Sequence, residues 1–249
     1  MSAPRLHLDQ RLAEALTVIV EGDRAHYLRN VLRLREGSEV RPFNARDGEW
    51  SAHIVAAARH RVDLRVGHRL RVPADEPGPA LAFAPIRRNR LDWLVEKAVE
   101  LGAGRLIPVL TARTVVRPEH AQRLRAIAEE AAEQCERLSV PPIEEPEPLD
   151  RWLAGRAGPL LVADERRDGM PIGDAWRAHP DAMLLIGPEG GFTDAERVAL
   201  AAADAVPVEM GRRILRAETA VLFGLAAWQL FAAGDVTQRL ALAPPEADT

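Results

Sequence analysis

Cysteine and lysine each occur only once in this chain of 249 residues, as Cys135 and Lys97. A lone cysteine cannot close an internal disulfide, and no group of Cys and His has zinc spacing, so neither a disulfide framework nor a metal site is expected. The sequence contains no G-x-x-x-x-G-K-[ST] and no G-x-G-x-x-G, which excludes the common nucleotide loops. The longest apolar stretch, around 220–233, is interrupted by Gln229 and is too short to span a bilayer. The N-terminus lacks the basic-then-apolar pattern of a secretory signal. These absences lead to the expectation of a soluble cytoplasmic protein. What is present is a hydrophobic fraction of 47%, enough for one large domain or two modest ones with real cores.

The net charge of −4 hides an asymmetry. Residues 1–72 hold 13 Lys+Arg against 9 Asp+Glu, a balance of +4, while the rest hold 20 against 28, a balance of −8. A basic module joined to an acidic one suits RNA contact through the first part. An ordinary solvated surface gives the same count.

The first 72 residues read as short alternating strands at 17–20, 39–43, 51–55 and 62–66, with turns at Gly37 and Asp47-Gly48 and one helical segment at 23–34. This predicts a small β-barrel. The segment 72–79, rich in Pro and Gly, is the best linker candidate. Beyond it, strands at 80–85, 105–110, 160–163, 183–186 and 206–209 alternate with helical patterns. The continuous apolar runs at 160–163 and 183–186 mark strands covered on both faces. Helices are expected at 90–101, with Gly102 as its C-cap, and at 218–233. A long one opened by Pro118 has Leu124, Ile127, Ala128, Ala131, Cys135 and Leu138 on its apolar face. Cys135 therefore reads as core filler. A frayed tail follows Ala243. The two parts, 1–72 and 73–249, form a barrel and an α/β domain with a largely parallel sheet.

Two C-terminal segments carry the chemistry. Gly187-Pro188-Glu189-Gly190-Gly191 follows an apolar run and precedes the capping box Thr193-Asp194-Ala195-Glu196. Its glycines let the backbone turn and approach a ligand closely, at the place where a parallel sheet binds ligands. In the second segment, 210–220, Gly211 allows close approach, Ile214 and Leu215 give an apolar wall, and Arg212, Arg213 and Arg216 bring three cations. These cations suit an anion or RNA. His26, Arg29 and Arg33 read as RNA-facing, because Leu28, Val31 and Leu32 supply the buried side. Lys97 stands out among arginines, as if a guanidinium would not serve there, although a salt bridge with Glu96 or Glu100 accounts for it equally. Glu133, Gln134 and Arg137 occupy the polar side of their helix, open to solvent, a partner or substrate.

Together these two segments resemble the SPOUT methyltransferases, and within them the bacterial 16S ribosomal RNA uridine-N3 methyltransferases usually called RsmE. The stretches 26–34, 90–102 and 130–137 extend the resemblance over nearly the full length. It implies a trefoil knot in the C-terminal sheet, a PUA-like barrel over 1–72 and a homodimer packed through the knot helices. It also implies S-adenosylmethionine held by Leu185, Ile186, Gly187, Glu189, Gly190, Gly191, Met210, Gly211, Ile214, Leu215, Thr219 and Ala220. Its substrate would be 16S ribosomal RNA or the assembled small subunit, approached by Arg5, His26, Arg29, Arg33, Arg87, Arg90, Lys97, Arg137, Arg212 and Arg213. Arg216 would stabilise charge on the uracil, and Glu218 would serve as base or orient Arg216. The chain departs from the family pattern at Arg87, Arg88 and Leu124, and at Ala217, where a hydroxyl is lost near the expected substrate site. A SPOUT enzyme directed at a ribose hydroxyl or another base is the alternative activity. A catalytically silent RNA-binding protein is the non-enzymatic one, and a small-molecule α/β enzyme a third.

Overall fold

The computed structural model describes residues 3–116, 121–166 and 168–234. Pro118 and the tail after Ala243 lie outside them. The chain divides into two compact units, Met1–Glu76 with Ala132–Val140, and Pro77–Ala131 with Pro141–Thr249.

The first unit is built on five strands: β1 (Arg5–His7), β2 (Thr17–Glu21), β3 (Glu39–Asn44), β4 (Gly48–Ala58) and β5 (Arg61–Arg71). They pair in the order β1-β3-β4-β5-β2, antiparallel except for β1 beside β3. No ladder joins β1 to β2 among the described residues, so backbone pairing does not close the barrel. Closure comes instead from a shared core: alternate residues Leu6, Val20, Val40, Ile54 and Leu64, one from each strand, meet in a single cluster. Gly48 has φ +84, and a Cβ there would lie 2.2 Å from the Arg71 carbonyl oxygen, so only glycine lets β4 start against the end of β5.

The helix expected at 23–34 is shorter and irregular. Helix α1 (Gly22–His26) runs into one π-helical turn, Tyr27–Val31. Leu28 is buried, but Val31 is exposed, so the supposed apolar side is narrower than its sequence suggests.

The second unit carries seven strands, all parallel: β6 (Ala80–Phe83), β7 (Arg105–Leu110), β8 (Glu147–Pro148), β9 (Leu160–Ala163), β10 (Met170–Pro171), β11 (Met183–Ile186) and β12 (Val206–Glu209). Their order is β10-β12-β9-β11-β6-β7-β8. Period two splits the buried side chains. Ala82, Ile107, Val162 and Leu185 meet α4 (Leu149–Gly155) and α6 (Asp194–Ala202) through Trp152 and Leu200. The other face of β11 meets α7 (Ala217–Phe231). Gly224 admits this approach, since a Cβ there would lie 2.4 Å from Leu184 Cδ2. Helices α2 (Arg88–Glu100) and α5 (Ile172–Ala178) flank α7, and the Trp176 indole donates to the Gly224 carbonyl at 3.0 Å.

Helix α3 (Ala121–Gln134) ends before Cys135, which is half-buried in the following turn rather than core filler. Glu133 and Arg137 are likewise not on an open polar face. Within the first unit, the Glu133 carboxylate accepts from the His7 amide at 2.9 Å, and the Arg137 carbonyl accepts from Arg5 at 2.7 Å. Among the described residues no helix is long and apolar enough to cross a membrane.

Candidate functional site

Three adjacent strands of the second unit end level. Ala163, last in β9, pairs with Ile186, last in β11, on one side and with Val208 of β12 on the other. Continuous apolar sequence makes β9 and β11 core elements, with β12 alongside β9 burying only Val208, and the loops leaving their C-terminal ends diverge over one spot. They border a cleft of about 630 Å3, counting its open mouth. Ile186, Val208, Met210 and Leu215 give it an apolar wall, and Ala217 and Ala220 of α7 close it with small side chains.

The loop glycines serve different ends. A Cβ on Gly187 would lie 2.7 Å from the Phe192 ring, and one on Gly191, at φ +70, would lie 2.2 Å from the Glu165 carboxylate. Packing against the Phe192 ring thus favours glycine at 187, and the left-handed backbone favours it at 191. Gly211, at φ +90, has nothing within 4 Å of that position and opens on the cleft. The turn is held by Gly191 N–H donating to the Pro188 carbonyl at 2.8 Å and by Arg113 donating to the Gly190 carbonyl. Directly after it, Thr193 and Glu196 form the expected capping box on α6.

The rim is acidic. Asp164, Glu165 and Glu189 line the cleft, with Arg213 as the cation among them. Arg197 holds Asp164 at 2.8 Å and Glu165 at 2.6 Å. Burial opposes the charge on Asp164, but hydrogen bonds from Arg197 and Glu165 outweigh it and keep the carboxyl below its ordinary range. Glu165 shifts the other way, raised by its hydrogen bond to Asp164 and then by burial.

Arg90 ties the first loop to α7. It donates to Glu189 at 2.6 Å, and its Nε lies 3.7 Å from Glu218 Oε1. Glu218 is only 8% exposed, and its Oε2 is buried without a hydrogen-bond partner. A buried carboxylate oxygen without a hydrogen bond is costly, and this one stands beside Ala217, which lines the cleft. Arg216 precedes α7 as its exposed N-cap residue.

The structure thus brings together most of the expected cofactor residues. Ile186, Gly187 and Glu189 line the cleft from the first segment, and Met210, Gly211, Ile214, Leu215 and Ala220 from the second. Leu185 is fully buried in the core beneath it, while Gly190, Gly191 and Thr219 fall outside its lining. Missing from the expected cofactor residues are Ala163, Asp164 and Glu165, together with Pro188, Val208 and Ala217. For the first three the signal was available, since 160–163 is an apolar run of the same kind as 183–186.

The expected RNA residues scatter. His26, Arg33, Arg87, Arg212 and Arg213 are exposed, and Arg29 is half-buried with a hydrogen bond to the Ala58 carbonyl at 2.9 Å. Arg5 is a correction. It is buried, stacks on Phe43 at 3.9 Å, and donates to the Ala132 carbonyl at 2.7 Å, so no face is left for RNA. Arg137 is desolvated by burial, which lowers its pKa, and it bonds Ser139, so it too is internal. Arg90 is occupied by carboxylates. Lys97 pairs with Glu100 at 2.8 Å and Glu96 at 2.7 Å, contacts that raise its pKa and make the salt-bridge account sufficient.

Comparison with known proteins agrees with this geometry. Residues 76–229 match the RNA methyltransferase domain family and residues 20–67 the RNA methyltransferase PUA domain family. Ribosomal RNA small subunit methyltransferase E of Rickettsia conorii is 31% identical over 231 residues, covering 91% of this chain and 95% of that protein. The Bacillus subtilis protein of the same name is 28% identical over 240 residues, 88% of this chain and 91% of its own. The crystal structure of the Neisseria gonorrhoeae enzyme of that name, bound to S-adenosyl methionine, aligns with a TM-score of 0.81 at 28% identity, covering 92% of this chain and 98% of that one. Strand ends, loops and both family matches converge, and the chain belongs to the ribosomal RNA small subunit methyltransferase E family.

Proposed function

We infer that the chain transfers a methyl group from S-adenosylmethionine to small-subunit ribosomal RNA, at the ring nitrogen N3 of a uridine. The observation that carries this is the cleft over the level ends of β9, β11 and β12, in a chain whose family match spans that same unit. The lining fits the donor: an apolar wall for a flat base, and three carboxylates for a ligand with a positive sulfur and an ammonium group. When bound, S-adenosylmethionine supplies an electrophilic methyl group. Gly211 to Leu215 and Ile186 to Glu189 would hold it.

The imide nitrogen of uracil is a poor nucleophile until its proton leaves. Glu218, with its unpartnered Oε2, is suited to accept that proton. Arg216, exposed at the start of α7, is suited to stabilise the negative charge that develops on the uracil oxygens. A trefoil knot is supported by strand order, since β11 inserts between β9 and β6 and β12 then pairs outside β9. The barrel over 1–72, in the unit that also holds residues 73–76 and 132–140, is the RNA-binding part, the rest of 73–249 is the catalytic domain, and the protein acts in the cytoplasm. A homodimer is supported by Phe223 and Leu230, exposed seven residues apart on one face of α7.

Calorimetry with S-adenosylmethionine tests the methyltransferase reading, and a flat titration would sink it, leaving the silent RNA-binding protein and the small-molecule α/β enzyme. Mass mapping of small subunits methylated in vitro tests the position. A methyl group on a ribose would replace the uridine-N3 reading with the ribose-directed one.

A further inference from the structure

A second cleft lies behind the first loop. Its floor is apolar, formed by buried Pro85 and Ile86 after β6, and its lip by Val115 and Val116. Arg87 and Arg113 also line it. Pro188 and Glu189 line both this cleft and the cofactor cleft, so the loop backbone is a common wall. Arg113 reinforces that wall through the Gly190 carbonyl.

Apolar surface beside two guanidiniums has the character of a nucleotide site, in which a base covers the apolar floor and its phosphate meets the cations. A small apolar ligand would not need the arginines, and a free anion would not need the floor. The wall decides which nucleotide. A base on the Pro85–Ile86 floor sits in a cleft distinct from the one lined by Ile186, Met210 and Leu215, so it is placed beside the reacting base and not in its position. We propose that this second cleft seats an unpaired nucleotide flanking the methylated uridine, and so positions the RNA rather than reacting. The proposal rests on the RNA methyltransferase reading above. It assigns Arg113, Val115 and the Pro85–Ile86 floor a role that the sequence segments do not suggest.

Val115 is 88% exposed, so Val115→Glu places a negative charge in the cleft with little demand on folding. Val198→Glu, on the exposed side of α6, is the matched control. The experiment compares wild type, Val115→Glu, Arg87→Ala and Val198→Glu, using unmethylated small ribosomal subunits in a steady-state methylation assay, S-adenosylmethionine calorimetry and thermal melting. Val115→Glu and Arg87→Ala are expected to raise KM for the subunits about tenfold, the scale of one lost base or phosphate contact. Their kcat, cofactor affinity and melting midpoint should match the control. Wild-type KM in both variants overturns the proposal. A fall in kcat with unchanged KM also overturns it, because the reacting base would then occupy the cleft. A wild-type protein that binds S-adenosylmethionine but methylates no RNA defeats the underlying reading instead, and the two failures are told apart in the first assay.

Discussion

Glu49 in the first unit and Glu218 in the second are both buried carboxylates, with opposite surroundings. Glu49 is fully buried and has three guanidiniums about it: Arg41 at 2.6 Å, Arg71 at 3.2 Å and Arg5 at 3.3 Å. Two of these, Arg5 and Arg71, also donate to carbonyls at 132–137. Glu218 has one guanidinium, at 3.7 Å; each carboxylate has one oxygen without a hydrogen bond, Glu49 Oε1 and Glu218 Oε2, so counter-charge is what separates them. A surrounded carboxylate is architecture: it fixes which segments meet. Glu218 follows the cleft residue Ala217 at the start of α7 without lining the cleft itself, and a buried carboxylate with so little counter-charge is a candidate for function.

Substitution should separate the two. Glu49→Ala leaves three guanidiniums facing one another with no counter-charge, and should cost about 3–5 kcal/mol of stability. Urea unfolding of the variant measures this, and a loss under about 1 kcal/mol would place Glu49 among ordinary surface ion pairs. Glu218→Gln should behave oppositely. Its unfolding midpoint should hold or rise, while methyl transfer falls by about 10²–10⁴, the usual worth of a positioned base. A stable but fully active Glu218→Gln protein would make Glu218 a mere counter-ion of Arg90.

Arg216→Ala comes next, with turnover falling by about 10²–10³ as for loss of one charge-stabilising donor. S-adenosylmethionine affinity should persist, because Arg216 is absent from the cleft lining. Weakened cofactor binding with normal turnover would mean its role had been misassigned. A smaller effect attaches to the scaffold of the same site. Thr193→Ala removes one half of the capping box and should cost about 1 kcal/mol, with Thr193→Ser restoring it.

The contrast also explains what was legible in sequence. The ends of β9 and β11 could be read because each is an apolar run whose burial needs no distant partner, while β12 could be read from two valines in alternation. The capping box could be read because its bonds close within four residues. Strand β1 could not. Arg5-Leu6-His7 looks polar, and its arginine is buried only because Glu49 and the 132–137 carbonyls arrive from far along the chain. Helices α4 and α5 were missed for another reason. Each is 7 residues long, too short for a periodic face, and buries only a few side chains, Leu149 and Trp152 in α4 and Ile172, Ala175 and Trp176 in α5. The cleft was half legible: two loops carried glycines, while Asp164 and Glu165 on the third looked like solvated acids.

Acid should sharpen the comparison last, with the smallest effect. In the first unit Asp47 is held down at about 2, chiefly by its hydrogen bond from Arg46, then by those from the Leu12 amide and Asn44. Its unfolded value is about 3.9. A depressed folded value means the contribution is complete above about 4 and is lost as pH falls toward 2. In the second unit the neighbours Asp164 and Glu165 shift in opposite directions, so stability lost by protonating one is offset by relief of the other. Residue-resolved hydrogen exchange across this range should therefore show protection in the first unit falling earlier, and Asp47→Asn should flatten that fall without touching the second. Equal acid limbs in both units, before and after the substitution, would show that Asp47 does not set the first unit's acid response.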